Sequence, residues 1–510
     1  METVTSSFGK TFARHRNQAS LNFLVLFLVS SFLLSSCFSV DDSLKSAEET
    51  FSTLSDDDKL PGVSIPKSFD TTSAALTPAE IAQLLDNWWT VFEDEDLNVF
   101  MTSVINDSLA LKRAAYQTLQ HYEKYRQNYA LYWPEFGVSA QADRSKLDVR
   151  TFGNTSSNFQ FSAPVSYEVD LWGRIRAKNI ASLSRLFASQ EELYSLAMTV
   201  SANLVDRYFH VVELCKRVDL TDRTINADKR RLNLLLMRYQ DGVASSIDVY
   251  RAREILASRR AERPRIMKEL GEAQAGLLRV AGRYPESRST CGVKDFPELT
   301  PLPIVLPSDL LIRRPDVLAA LHRIKAADAD LSAAFADRFP KLSLTASGGY
   351  ANTEPSDVFI PESLVWRITA GLAGPLIDFG RRRAVVREKE AVVVELSLAY
   401  MGTVLDAYQD VEIALLGRTE LSKRVALLDS KVSALSNTLR LETEQYFQGV
   451  SDYLPVLISQ RSLFLAQSEL IVARRQQVSN YVQLAKSLGG GWSKSDVRDS
   501  FAFSNLEYGR

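Results

Sequence analysis

The sequence predicts an α+β membrane protein built as a tandem duplication, with long α-helical coiled-coil hairpins and four amphipathic β-strands per chain. Three observations predict it. Landmarks recur about two hundred residues apart, four stretches of about ten residues alternate apolar and polar positions, and two helical runs are almost free of breakers.

At the N-terminus Lys10, Arg14 and Arg16 precede LNFLVLFLVSSFLL (Leu21 to Leu34), an apolar stretch of signal-peptide length and short for a membrane span. It ends in LSSC, with Leu34 three residues before Cys37, and resembles the lipobox of a bacterial lipoprotein, whose cysteine becomes the lipidated first residue. An ordinary secretory signal with an incidental cysteine, or an uncleaved anchor, is the alternative; on each reading the chain leaves the cytoplasm. Residues 1–36 read as signal peptide and 37–79 as a lipid-anchored leader or tether, acidic, Ser-rich and poor in pattern.

The remainder divides into two copies of one plan. Pro134 with EFGVSA recurs as Pro340 with KLSLTA, an offset of 206; Gly173 in DLWGR recurs as Gly380 in DFGR, an offset of 207. Tyr239 and Gly242 in RYQDGV recur as Tyr446 and Gly449 in QYFQGV, again at 207. Each copy runs helix, strand, strand, long helix, tight turn, helix. The first repeat is 80–290, an inter-repeat linker is 291–315, the second repeat is 316–489, and 490–510 reads as a flexible tail, disordered after Trp492.

The strands expected are Glu135 to Asp143, Asn158 to Tyr167, Lys341 to Tyr350 and Leu364 to Leu376. Each puts residues such as Phe136 and Val138, Phe161 and Val165, Leu342 and Leu344, or Trp366 and Ile368 on one face, with Ser, Thr, Gln, Gly and Arg367 on the other. Such strands suit a bilayer-spanning barrel or two soluble hairpins over a core. The export signal and the aromatics at the strand ends favour the barrel. Four strands cannot close round a pore, and open edges are not tolerated in lipid, so several chains must contribute. Pro164 and Pro375 are expected to mark a bend or bulge where barrel becomes tunnel.

From Leu171 to Tyr239, Gly173 is the only breaker, and from Phe379 to Phe447 there are three glycines and no proline. At about 1.5 Å per residue each run is on the order of 100 Å long. In the second run Val393, Leu396, Tyr400, Val404, Ala407, Val411 and Ala414 follow a near-heptad spacing, a packing seam. Gly242 and Gly449 sit where a left-handed helix cap forms, and SSID (Ser245 to Asp248) and SDYLP (Ser451 to Pro455) offer starts for the returning helices. Each copy is thus a helical hairpin whose tip lies far from its strands.

Composition removes other classes. A net charge of −2 lacks the basic excess of a nucleic-acid binder. Four His and three Cys give little material for a metal site. Cys215 and Cys291 make no CxxC or zinc spacing, and an oxidising compartment would permit a disulfide that two unpatterned cysteines do not specify.

The chain resembles the outer-membrane factor family, the TolC-like channel-tunnels, and in particular its lipoprotein branch. The most specific stretch is LPSDLLIRRPDVLAALHRIKAADADLSAAFADRFPKLSLTA (Leu306 to Ala346), similar to the family's inter-repeat signature; DLWGR, DFGRRRA, RYQDGV and QYFQGV match jointly. Within it Arg313, Arg314, Pro315 and Asp316 also read physically as a helix start, with Pro315 at the first position and Asp316 in the first turn. The resemblance implies a homotrimer whose chains each lend four strands to a twelve-stranded outer-membrane barrel, continued into the periplasm by a helical tunnel. It implies contact with outer-membrane lipid, no cofactor, and hairpin tips that face a periplasmic adaptor and an inner-membrane transporter. The tip residues it marks are Tyr239, Gly242, Asp248, Tyr446, Gly449, Asp452 and Tyr453. One departure stands out. Where family members often carry acidic residues six and nine positions after the second-tip glycine, this chain has Pro455 and Ile458, and Ser451 replaces the basic partner expected for Tyr446. The entrance is therefore expected to close by other contacts, an apolar constriction.

A passive export conduit is the leading function. A periplasmic adaptor would pair its hairpin with Gly-rich β-domains of many short strands, and a coiled-coil scaffold would need neither strands nor duplication. An enzyme is not expected, because no Ser/His/Asp spacing, phosphate loop or metal cluster is present in the sequence.

Overall fold

The computed structural model describes residues 85–146, 155–285, 291, 294–299, 302 and 313–501. The signal segment, Cys37 and the tether lie outside them. A 3₁₀ turn (Trp88–Phe92) leads into α1 (Glu95–Asp107) and α2 (Leu109–Ala130). Strands β1 (Glu135–Phe136), β2 (Ser139–Lys146) and β3 (Thr155–Val169) follow, then α3 (Arg174–Gln240) and α4 (Ser246–Val280). The second copy comprises α5 (Pro315–Ala336), β4 (Lys341–Asn352), β5 (Leu364–Ala373), α6 (Arg381–Phe447) and α7 (Tyr453–Ser487), with α8 (Lys494–Ser500) after it.

The duplication is legible in the helix ends. α3 and α6 are each 67 residues and α4 and α7 each 35, and all four pairs of ends differ by 207. α2 and α5 are each 22 residues and differ by 206. α3 and α6 run the full length, flanked near the sheet by α2 and α5 and towards the tips by α4 and α7. Both α6 and α7 are long and apolar enough to cross a bilayer. At about 100 Å, however, α6 is some three times the hydrocarbon thickness, and its apolar residues form packing stripes. Val404, Ala407, Val411 and Ala414 of the expected seam are buried, and Val393, Leu396 and Tyr400 are half-buried.

The four expected strand regions form one antiparallel sheet, ordered β1/β2, β3, β4, β5. Residues directly opposite share a face, and the register aligns all the apolar sets. Phe161 lies opposite Ala140 and Tyr350, Val165 opposite Phe136 and Ala346, and Ile368 opposite Ala346. Polar residues pair on the reverse face: Gln141 with Gln160, Ser166 with Thr345, and Ser347 with Arg367. Pro164 does not create a bulge. The register is continuous across it, and because it lacks an N–H it only interrupts the ladder, splitting β1 from β2, while Gly137 still donates to its carbonyl (2.9 Å). Pro375 lies beyond β5, in the connection to α6.

At each foot of the sheet an aspartate starts a long helix. Asp170 accepts the backbone N–H groups of Ile175 (2.9 Å) and Arg176 (2.8 Å), and Asp378 accepts those of Gly380 (3.0 Å) and Arg382 (3.2 Å). Gly173 and Gly380, both left-handed (φ 74° and 86°), turn the chain into the helix.

The main core lies midway along the long helices. Leu85, Trp88, Phe92, Leu97 and Met101 pack on the middle of α3, α6 and the end of α7. Arg314, 5% exposed, forks onto Asp316 (3.1 and 2.7 Å), reaches Asp410 of α6 (3.1 Å) and donates to the Ser487 carbonyl of α7 (3.4 Å). Pro315 is the first helical residue and Asp316 lies in the first turn, as expected. Nearby, Asp94 accepts from Tyr208 (2.6 Å) and Lys294 (2.7 Å). A disulfide joins Cys215 to Cys291 across 76 residues of sequence, tying the inter-repeat segment to α3. The tail after Trp492 was expected to be disordered and is corrected in part. Ser493 caps α8, whose Val497 is buried against Ile105, Leu111 and Leu193. A seven-residue element with one apolar anchor carries no detectable period, which is why the pattern missed it.

Candidate tunnel entrance at the hairpin tips

Both tips are built by the same backbone device. At the first, Gly242 (φ 72°) follows the end of α3, and the Arg238 carbonyl accepts from Val243 (2.9 Å) and Ala244 (3.2 Å). At the second, Gly449 (φ 76°) follows α6, and the Gln445 carbonyl accepts from Val450 (3.0 Å). This closes the last turn of each helix and satisfies its carbonyls. Ser245 caps α4, accepting from Ile247 (3.2 Å), as its motif suggests. Ser451 does not cap α7: Asp452 occupies the cap position without a side-chain bond, and Ser451 instead donates to the Asp452 carbonyl (3.3 Å). Pro455, third in the helix, removes an N–H that no intrahelical carbonyl would have accepted.

The side chains are less alike. Tyr446 is buried, and Tyr453 packs against it with ring centroids 5.0 Å apart, among Leu235, Ala252, Leu439, Val456 and Leu457 from all four hairpin helices. Tyr239, its counterpart in the first copy, is exposed, as is Asp452, while Asp248 is half-buried. The marked tip residues therefore form one buried tyrosine pair and a set of solvent-facing positions, not one constellation.

Sequence reasoning missed the residues that join the two hairpins. Arg238 stacks over Tyr446 (5.1 Å) and Phe447 (5.5 Å) and donates to the Phe447 carbonyl (3.5 Å). Deeper in, Arg231 pairs with buried Asp228 (3.5 Å), and the Gln460 amide, oriented with its oxygen towards Arg231, accepts from Nε (3.1 Å) and Nη1 (3.2 Å). Arg259 lies 3.6 Å over the Phe464 ring, beside a cleft of about 230 Å³. Arginines are frequent in this sequence, so no motif distinguishes these three. Burial pushes the Asp228 carboxyl above its ordinary value despite Arg231 and Arg259. Burial also raises Tyr446, and pushes Tyr453 up to about 12. The Tyr446 hydroxyl is buried with no hydrogen-bond partner among the described residues. Nor do the described residues hold a group of three or more His, Cys, Asp or Glu that could bind a metal. These contacts hold helices together and supply no nucleophile or acid–base pair.

The profile of the outer membrane efflux protein family matches residues 102–283 and 306–490, covering both repeats. The chain belongs to this family. The toluene efflux pump outer membrane protein TtgF of Pseudomonas putida is 29% identical over 412 residues, 80% of this chain and 85% of that protein. The probable outer membrane lipoprotein SilC of Salmonella typhimurium is 25% identical over 434 residues, 85% and 94% of the two chains. The crystal structure of a membrane protein from Pseudomonas aeruginosa superposes with a TM-score of 0.78 at 26% identity, over 84% of this chain and 98% of that one. The protein is thus an outer-membrane component of an efflux system, with the sheet as its membrane part and the helices as its periplasmic part. Its family is one of transport channels and not of enzymes.

Two aromatic levels on the sheet agree with that assignment. Phe161 and Tyr350 surround Phe359 at the loop end (6.0 and 5.7 Å), and Trp172 stacks on Phe339 at the helix end (4.8 Å). Along β4, Tyr350 lies nine residues from Lys341, next to the Phe339 turn, so the levels are about 30 Å apart along the strand, which at a tilt of about 40° is comparable with the apolar band of a transmembrane barrel.

Proposed function

We propose that three copies of this chain close one twelve-stranded barrel and a continuous helical tunnel, a passive conduit from periplasm to exterior. The observation that carries this reading is the sheet: four strands in register with one apolar face, one polar face and two open edges. An apolar face suits lipid, but unpaired edges do not, and joining β5 to β1 and β2 of the next copy removes them. The outer flank of α6 supports it, since Leu398, Leu405, Ile413, Leu416 and Leu427 form an exposed stripe on one side of the helix.

The tips would dock a periplasmic adaptor fed by an inner-membrane transporter, with Tyr239 and Asp452 on the exposed surface and Asp248 half-buried beside them. Closure would be apolar. Leu454 and Ile458 are exposed four residues apart on α7, and Val450 is exposed in the turn before it, close to where acidic residues are missing. Cys37 would carry the lipid anchor, a proposal that the relative named as a lipoprotein supports. Small molecules are the proposed cargo, since a relative is named for toluene efflux.

Planar-bilayer recording tests this. The purified protein should insert and conduct, with a conductance that divalent cations leave largely intact and that Asp452→Asn does not change. Failure to conduct contradicts the conduit. Strong divalent block abolished by Asp452→Asn contradicts the apolar entrance.

A further inference from the structure

The two junctions between sheet and tunnel come from one duplicated design, yet among the described residues of the chain only the first is received by protein. Trp172, in the first junction, stacks on Phe339 with ring centroids 4.8 Å apart and planes at 23°, and its indole N–H donates to the Pro340 carbonyl (2.7 Å). Phe339 and Pro340 belong to the turn that ends α5, where the Phe339 N–H bonds the Ala336 carbonyl at 3.1 Å. The junction of the first copy is thus seated on the turn of the second.

The same correspondence that maps Gly173 to Gly380 maps Trp172 to Phe379, and the one that maps Pro134 to Pro340 maps Trp133 to Phe339. Trp133 sits in a turn of the same form, its N–H bonding the Ala130 carbonyl at 3.1 Å. Within one chain, however, Phe379 is 100% exposed and Trp133 67%, whereas Trp172 is 38% exposed. Leu376 and Ile377 beside Phe379 are exposed as well. The second junction is one residue shorter, since a single residue separates Asp378 from Gly380 where two separate Asp170 from Gly173. That places Phe379 at φ 51°, a left-handed conformation unfavourable to a residue with a Cβ. Nothing around the ring among the described residues of its own chain offsets this.

We propose that Phe379 of one copy packs on Trp133 and Pro134 of the next copy, repeating between chains the contact that Trp172 makes with Phe339 and Pro340 within one. It rests on the assembly proposed above. There, the pairing of β3 with β4 joins the second strand of one repeat to the first strand of the next; joining β5 to β1 and β2 of another copy repeats that step and brings the second junction to the first turn. Aromatic contacts would then alternate within and between chains round the foot of the barrel. The occupant is a second copy and not lipid, because a protein turn occupies the equivalent place in the chain.

Full-length protein with Trp133→Cys and Phe379→Cys together, treated in outer-membrane fractions with a short bis-thiol reagent, should give covalent species of two and three chain masses, absent from each single variant. If the protein is oligomeric in detergent and the double variant does not cross-link, the proposal fails and the assembly stands; if the protein is monomeric, both fail. Should the double variant not assemble, Phe379→Gly decides. It relieves the backbone but removes the ring, so the oligomer should dissociate at a lower temperature than wild type, and an unchanged or higher temperature overturns the proposal.

Discussion

α3 and α6 are the same helix twice, equal in length and matched end for end, yet 28 residues of α3 are buried against nine of α6. The difference comes from neighbours. α3 lies between α2 and α5 near the sheet and between α4 and α7 towards the tips, whereas α6 packs mainly on α5 and α7. Corresponding positions show it: Phe209 is 2% exposed and Leu416, its partner at 207, is 66% exposed. Sequence alike in pattern and unlike in burial marks the flank that a second copy would cover.

Substitutions at this pair should separate folding from assembly. Phe209→Ala empties a packed site and should cost about 4 kcal/mol of chain stability, read by denaturant unfolding. Leu416→Ala should cost the single chain almost nothing, while Leu416→Asp should leave its helical content intact and dissociate the oligomer in detergent. Equal folding losses at both sites would break the comparison.

The disulfide acts only on the central side. Cys291→Ser frees the segment tied to α3 and should lower stability by about 3 kcal/mol, with conductance retained once folded. Arg314→Met leaves two half-exposed carboxylates without their guanidinium, and about 2 kcal/mol is expected from thermal unfolding, with the middle of α6 loosening in hydrogen exchange before that of α3.

A smaller effect should appear with acid. Burial pushes the Asp94 carboxyl up, but the hydrogen bonds from Lys294, Tyr208 and the Leu97 N–H outweigh it, and its pKa is lowered below 3.8. The stability it contributes is therefore complete above that value and lost as pH falls through the lowered one. Melting temperature measured against pH should drop there, and Lys294→Met should flatten the drop. Least of all, Tyr446→Phe removes a buried hydroxyl without a partner among the described residues and should raise single-chain stability by about 1 kcal/mol. A loss of oligomer stability instead would show that a neighbouring copy supplies the partner.

Much of this architecture was legible because its signals are periodic. Alternation at Phe161, Ala163 and Val165 and the glycines at 173, 242, 380 and 449 located strands, junctions and tips within a few residues. The duplication was visible in those same glycines. What the sequence did not show are contacts without a period: the Arg314 fork onto Asp410, the stacking of Arg238 on Tyr446, the disulfide, and the single anchor Val497 of α8. The tyrosines illustrate the limit, since Tyr239 and Tyr446 occupy equivalent positions in matching motifs and only the second is buried. That distinction depends on which helices lie alongside, and a repeat pattern cannot encode it.

The central claim, that one chain is one third of a closed channel, is tested most directly by the mass of the purified protein in detergent. Native mass spectrometry should give three times the mass of the mature chain, collapsing to a single chain for Leu416→Asp. A monomer that stays soluble without detergent would contradict the account.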